Sequence, residues 1–145
     1  MSADGLSDED IRGILERART FAVIGGSAKP LRPSYGVMQF LIDQGYTVLP
    51  VNPGHDGKLI LGQPVYGVLA DVLPPVDVVD VFRNPAAALQ VVRDAVAVKD
   101  KLGATIVWMQ LGVINEQAAD EARAAGFTVV MDRCPKIEFS RLMRR

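Results

Sequence analysis

The chain has 145 residues, of which 49% are hydrophobic and 23% are charged, a composition that predicts one globular domain spanning residues 1–145. The formal net charge of −1 excludes a general attraction to nucleic acid or to an anionic membrane, so neither partner is expected. No apolar run approaches the ~20 residues that span a bilayer, and the acidic start MSADGLSDED is unlike a signal peptide. Because its single cysteine, Cys134, cannot form an internal disulfide, we expect the protein in the cytoplasm.

Capping residues, glycines and hydrophobic spacing predict alternating helices and strands. In chain order these are a helix after Ser7, a strand at 20–24, a helix capped by Ser34 that ends at Gly45, a strand at 46–51, a loop at 52–64, a short strand at 65–66 and a helical turn at 69–72. Beyond the break at Pro74–Pro75 they are a strand at 76–82, a helix from Asn84 to about Leu102, a strand at 105–109, a helix from Asn115 to Gly126, a strand at 127–131 and a basic helix from about Pro135.

The predicted strands are nearly continuous apolar runs, which indicates strands that are buried on both faces. Their alternation with helices predicts a doubly wound, Rossmann-like α/β domain, with a parallel sheet between two helical layers. In such folds ligands bind beyond the carboxyl ends of the strands, where the strand order reverses. The loops after the first strands are therefore the candidate site.

The loop after the first predicted strand, within AVIGGSAKPLRPSYG, contains glycines and cations but no acid. The residues suited to phosphate are Gly25, Gly26, Ser27, Lys29, Arg32 and Ser34. Glycines allow backbone N–H groups to approach an anion, and the following helix adds its positive end, so the pattern favours a phosphate group over a simple tight turn. We expect a side chain at Gly26 to obstruct the ligand rather than the core.

The identity of the phosphate compound depends on patterns that are absent or altered. The dinucleotide fingerprint G-x-G-x-x-G fails because Ser27 and Pro30 stand at its later glycine positions, and the P-loop pattern fails too. After the second predicted strand, where NAD enzymes have an acid, this chain has Asn52–Pro53. His55 and Lys58 then follow as donors for a further phosphate, so a nucleotide that carries a ribose phosphate is favoured over NAD.

Five segments, taken in order, resemble the small stand-alone CoA-binding proteins of bacteria: IGGSAKPLRPSYGV, PVNPGHDGKLILGQPVY, VDVVDVFRNP, IVWMQLGVINEQAADEARAAGF and VVMDRCPKIE. More distantly, the chain is similar to the N-terminal CoA-binding domain of the succinyl-CoA synthetase alpha subunit. The resemblance covers roughly residues 15–140 and implies coenzyme A as the cofactor.

The resemblance also assigns parts of coenzyme A to particular residues. Those implied along the diphosphate are Gly26, Ser27 and Lys29. The stretch implied around the adenosine is Val81–Phe82–Arg83–Asn84–Pro85. The second loop, VNPGHDGK, is similar to the synthetase pattern Val-Thr-Pro-Gly-Lys-Gly-Gly, whose lysine meets a CoA phosphate. His55 occupies the position of that lysine. Arg32 or Lys58 is the cation that the sequence offers for the phosphate contact in its place.

The sequence indicates binding rather than catalysis. It contains no G-x-S-x-G elbow and no zinc cluster, and Asp77 and Asp80 fall on opposite faces of a predicted strand. We interpret it as a non-catalytic module for coenzyme A or a short acyl-CoA, with a protein partner or a homo-oligomer left open. The alternative is an NAD(P)-dependent or acyl-transferring enzyme that acts on a nucleotide-linked substrate.

Cys134 has two interpretations. A lone cysteine is usually a small buried hydrophobe. However, Arg133 and Lys136 flank it, and positive charge favours the thiolate form. Because coenzyme A ends in a thiol, Cys134 and the strand-end residue Gln110 are the predicted contacts of that thiol.

Overall fold

The computed structural model describes residues 3–143. Its helices are α1 (Asp8–Arg17), α2 (Pro33–Asp43), α3 (Pro85–Ala97), α4 (Lys99–Leu102), α5 (Glu116–Ala124) and α6 (Pro135–Leu142), with 3₁₀ turns at Pro53–His55 and Leu69–Asp71. Its strands are β1 (Thr20–Ile24), β2 (Thr47–Val51), β3 (Leu59–Ile60), β4 (Gln63–Pro64), β5 (Val78–Val81), β6 (Ile106–Met109) and β7 (Thr128–Val130). No helix within this range is long and apolar enough to cross a membrane.

The main sheet has five parallel strands in the order β2-β1-β5-β6-β7. The chain moves outward from β1 to β2 and then returns past β1 to β5, so the strand order reverses between β1 and β5. Ile24, the last residue of β1, pairs with Val51 on one side and Val81 on the other. This arrangement confirms the predicted doubly wound α/β fold, and in such folds a ligand crevice is expected beyond these three residues.

Helices cover both faces of the sheet. On one face the apolar side chains of α3 and α5 pack against alternate strand residues such as Ala22 and Val79. On the other face α1, α2 and α6 pack against Phe21, Val23 and Trp108. Because the strands are apolar on both faces, burial fixes which loops emerge together at the carboxyl edge.

Three local predictions differ from the structure. Helix α2 begins at Pro33 with Arg32 as its N-cap residue, so Ser34 is inside the first turn rather than at the cap. The segment 52–64 contains a 3₁₀ turn and the β3–β4 hairpin, and Tyr66 forms only an isolated bridge with Val51. The long predicted helix is divided into α3 and α4 because Val98, at φ −114° and ψ 11°, leaves the helical region.

Candidate functional site

Two neighbouring cavities open at the carboxyl edge of the sheet. The larger, of about 700 Å³, lies over the ends of β1, β5 and β6. The smaller, of about 210 Å³, lies on the α3 side and is lined mainly by apolar residues such as Ile24, Val51 and Val91. Arg83 lines both cavities, so the two are neighbours that share a cation in their walls.

The larger cavity has a positive lining. Lys29, Arg32 and Arg83 contribute to its wall, and no acidic residue is among the described residues that line it. The N-terminus of α2 also faces this region, since Pro33 and Ser34 are part of the wall. Cationic side chains and a helix N-terminus together favour an anionic group such as phosphate.

Helices α2 and α6 begin without the side-chain cap that α1, α3 and α5 have, and of the two α2 faces the larger cavity. Side chains of Ser7, Asn84 and Asn115 accept hydrogen bonds from first-turn N–H groups of α1, α3 and α5, respectively. Arg32, the N-cap residue of α2, makes no such bond within residues 3–143. First-turn N–H groups need an acceptor, which an anionic ligand supplies.

Two buried polar atoms at the larger cavity have no hydrogen-bond partner among the described residues. They are His55 Nδ1 and Gln110 Oε1, and both residues line the cavity wall. A buried polar atom without a partner costs about 1–3 kcal/mol. Both atoms are themselves shielded from solvent, so a ligand in the cavity pairs with them only after a rotation of the side chain.

The first loop is held by hydrogen bonds within the protein. The Gly25 N–H donates to Val51 O at 2.9 Å, and the Ser27 N–H donates to Ser34 Oγ at 3.1 Å. The Lys29 N–H donates to Ser27 Oγ at 3.1 Å. These three N–H groups therefore shape the loop, while the side chains of Lys29 and Arg32 supply the charge.

The two glycines of this loop are surrounded by protein. Gly25 has φ +90°, and a Cβ there would lie 2.3 Å from the backbone oxygen of Phe82. A Cβ at Gly26 would lie 3.0 Å from Met38 Sδ and 3.2 Å from Pro50 Cβ. The expectation that a Gly26 side chain would meet the ligand rather than the core is therefore wrong.

We expect Gly26→Val to lower the unfolding free energy by about 1–3 kcal/mol, because the added methyl groups overpack the contact with Met38 and Pro50. Chemical denaturation of the protein without added ligand measures this change. Gly36→Val is the matched control, since a Cβ at Gly36 has nothing within 4 Å. Equal stability of Gly26→Val and wild type would contradict the packing argument.

Asn52 connects the first and second loops. Its Nδ2 donates to Gly26 O at 2.8 Å, and its Oδ1 accepts from the Gly54 N–H at 3.0 Å. Both ends of this amide are thus engaged inside the protein, although the residue lines the larger cavity. Asn52 positions the two loops that carry Lys29 and His55.

The structure brings most of the predicted residues to the two cavities. Those that line the larger cavity are Gly25, Ser27, Lys29, Arg32, Ser34, Asn52, His55, Phe82, Arg83, Asn84 and Gln110. Pro53 lines the smaller cavity. Gly26, Lys58 and Cys134 are not among the residues that line either one.

Cys134 lies inside the protein beside a buried ion-pair cluster. It is 7% exposed, and it packs in the core with α1, α2 and α6. The neighbouring Arg133 donates to carboxylates of Asp4 and Glu138 at 2.8 and 3.0 Å, and the bonds to Asp4 are the main cause of its raised pKa. These two carboxylates balance the charge of Arg133. The thiol contact of Cys134 stays a prediction.

Sequence reasoning missed the smaller cavity and part of the larger one. Pro33, Leu111 and Val113 also line the larger cavity. The smaller cavity combines the loop near Leu69 with one face of α3, whose lining residues are Ala87, Gln90, Val91 and Asp94. These residues are spaced by three and four positions, which places them on one face of a helix. This spacing is the sequence signal from which the wall of the smaller cavity could have been predicted.

Comparison with known proteins shows the same chain organisation elsewhere. The model of the CoA binding domain family matches residues 19–140. The uncharacterized protein YneT of Bacillus subtilis (strain 168) is 34% identical over 131 residues, which are 90% of this chain and 93% of that protein. A hypothetical protein from Pyrococcus horikoshii OT3 has a structure with a TM-score of 0.90 and 38% identity, over 99% of this chain and 97% of that chain. The structure of cell-free ID.343 from Thermus thermophilus gives a TM-score of 0.88 and 36% identity, over 94% of this chain and 99% of that chain. Since the family model matches most of its residues, the chain belongs to the CoA binding domain family.

Proposed function

We propose that the protein binds coenzyme A, or an acyl-CoA, across the carboxyl edge of its sheet and catalyses no reaction by itself. The observation that carries this proposal is the pair of neighbouring cavities, one cationic and one mainly apolar, that share Arg83 in their walls. Coenzyme A has a matching order of groups, since an apolar base is followed by phosphates and then by an amide-containing arm.

In this proposal the adenine occupies the smaller cavity. The volume of about 210 Å³ and the apolar lining suit a flat aromatic base. Arg83, Lys29, Arg32 and the N-terminus of α2 hold the diphosphate. His55, with Lys58 close by in the chain, meets the ribose phosphate.

The amide-containing arm then extends along the larger cavity towards Gln110. After a rotation of its side chain, the unpartnered Gln110 Oε1 accepts a hydrogen bond from an amide N–H of this arm. The arm points its thiol end towards the turn that follows β6.

The contacts of the cavity hydroxyls support a binding role. Ser34 Oγ accepts from the Ser27 N–H, and Ser27 Oγ accepts from the Lys29 N–H. Both hydroxyls therefore help to hold the loop, and neither forms a hydrogen bond with His55 among the described residues. We place this binding in the cytoplasm, where the free Cys134 stays reduced. The proposal also includes a protein partner or a second copy of the chain.

A thermal-shift panel with coenzyme A, acetyl-CoA, NAD, NADP and ATP tests the proposal. At about 100 times its Kd, coenzyme A should add about 2.7 kcal/mol to the unfolding free energy and raise the Tm. Dephospho-CoA, which lacks the ribose phosphate, is the matched control and should raise the Tm less. A Tm that rises with NAD and is unchanged by coenzyme A would favour the NAD(P)-dependent alternative instead.

A further inference from the structure

The smaller cavity has two polar side chains on one face of α3. Gln90 and Asp94 are four residues apart on this helix, and both line the cavity wall. Among the described residues of that wall, Arg83 is the one other residue with a polar side chain. Both Gln90 and Asp94 are exposed, so their polar atoms are accessible to a ligand in the cavity.

A hydrogen bond within this pair determines which way the Gln90 amide is turned. Gln90 Nε2 donates to Asp94 Oδ1 at 2.9 Å. Because a carboxylate only accepts hydrogen bonds, the reversed amide would place Gln90 Oε1 against a second acceptor. The pair therefore leaves Gln90 Oε1 as an acceptor and the second hydrogen of Nε2 as a donor, in a fixed order.

This order of acceptor and donor matches one edge of adenine. The adenine amino group donates, and the neighbouring ring nitrogen N1 accepts, so Gln90 can pair with both. In hypoxanthine a carbonyl replaces the amino group and N1 carries a hydrogen, so the donor and the acceptor exchange places. Hypoxanthine would therefore oppose like groups to Gln90 unless the amide turned over against Asp94.

The place of this pair, rather than its hydrogen bond alone, carries the inference. A bond of the same kind occurs on α2, where Gln39 Nε2 donates to Asp43 Oδ1 at 2.9 Å. Such pairs four residues apart are ordinary on exposed helices. Gln39 and Asp43 line neither cavity, whereas Gln90 and Asp94 form part of the mainly apolar wall that suits a flat base.

We propose that Gln90 reads the amino edge of the adenine, and that Asp94 is the positioning residue that holds the Gln90 amide in the orientation this reading requires. The inference rests on the proposed function, which places the adenine in the smaller cavity. The apolar part of the wall accepts any flat base. The pair on α3 then selects adenine over a base with a carbonyl in the place of the amino group.

Calorimetric titration with coenzyme A and with its hypoxanthine analogue tests the inference. We expect wild type to bind coenzyme A about tenfold or more tightly than the analogue, as loss of a two-bond contact with a base produces. Equal affinity for the two compounds would overturn the inference and leave the proposed function intact. Failure of both compounds to bind would overturn the proposed function and the inference with it.

Asp94→Asn tests the positioning role. The replacement amide can donate as well as accept, so Gln90 can turn over and pair with hypoxanthine. The variant should bind the hypoxanthine analogue more tightly than wild type does, and most of the preference for coenzyme A should disappear. A purely structural role of Asp94 would change both affinities together and keep their ratio. A wild-type ratio in this variant would overturn the positioning role.

Two further variants complete the test. Gln90→Met keeps the length of the side chain but has no amide, so it should lose the preference by weakening the binding of coenzyme A. Asp43→Asn is the matched control, because Asp43 accepts the same kind of bond away from both cavities, and it should keep the wild-type ratio. A preference retained in Gln90→Met, or lost equally in the Asp43 control, would overturn the assignment.

Discussion

The double variant Lys29→Ala/Arg32→Ala should bind coenzyme A about 2–6 kcal/mol more weakly than wild type, since each charge-assisted hydrogen bond contributes about 1–3 kcal/mol. Both side chains line the larger cavity, which has no acidic residue among its described lining to compete for them. Isothermal titration calorimetry at a fixed salt concentration measures the loss, and each single variant should show part of it.

Two controls separate binding from folding. Lys29 and Arg32 are exposed, so the double variant should unfold at the wild-type denaturant concentration. Arg123→Ala removes an exposed cation on α5, whose partner Asp120 is 3.5 Å away, and should leave the affinity unchanged. Wild-type affinity in the double variant would exclude both residues from the site.

Asp80→Asn should gain stability relative to wild type as the pH rises from acid to neutral. Asp80 is in the central strand β5, between Val23 of β1 and Trp108 of β6. It is fully buried, and neither carboxylate oxygen has a hydrogen-bond partner among the described residues. Burial raises the pKa of Asp80 well above its ordinary value of 3.8, because the charged form would be desolvated.

The raised pKa of Asp80 determines how the free energy of unfolding changes with pH. Below pH 3.8 the carboxyl is protonated in both the folded and the unfolded chain, so its titration has no effect on stability. Above that pH the unfolded chain releases the proton while the folded chain keeps it, and wild type loses about 1.4 kcal/mol per pH unit. The loss of stability ends when the pH exceeds the pKa of Asp80 in the folded protein. Asp80→Asn does not titrate, so its advantage over wild type should grow from acid to neutral pH.

Urea denaturation of both proteins at a series of pH values measures this difference. Comparing the two proteins removes the contributions of the other titrating groups, such as the cluster around Arg133. Asp43→Asn is the matched control, because Asp43 is exposed on α2 and its replacement should change stability little. A difference between Asp80→Asn and wild type that stays constant with pH would contradict a protonated, buried Asp80.

The main elements could be predicted because their signals are local. Apolar runs mark β1, β2, β5, β6 and β7, and cap residues such as Ser7, Asn84 and Asn115 mark three helix starts. The β3–β4 hairpin was missed because its turn residues, Leu61 and Gly62, both have positive φ. Such a turn usually has asparagine, aspartate or glycine at its first position, where this chain has leucine.

The candidate site was only partly predictable, since its parts are joined by tertiary packing. The charged loop around Lys29 has its own sequence pattern. The atoms behind Gly26 belong to Met38 and Pro50, which reach it only when α2 and β2 pack together. The position of Cys134 away from the cavities depends in the same way on the packing of α6.

The amide of Asn52 has a consequence for the kinetics of association. Its hydrogen bonds to Gly26 O and the Gly54 N–H fasten two loops together through atoms of the protein alone. A ligand that enters between these loops does not have to order them first, so little conformational entropy is lost on binding. For the proposed ligand we expect an association rate that is governed by diffusion and by attraction to the cationic wall, and that falls as salt screens that wall.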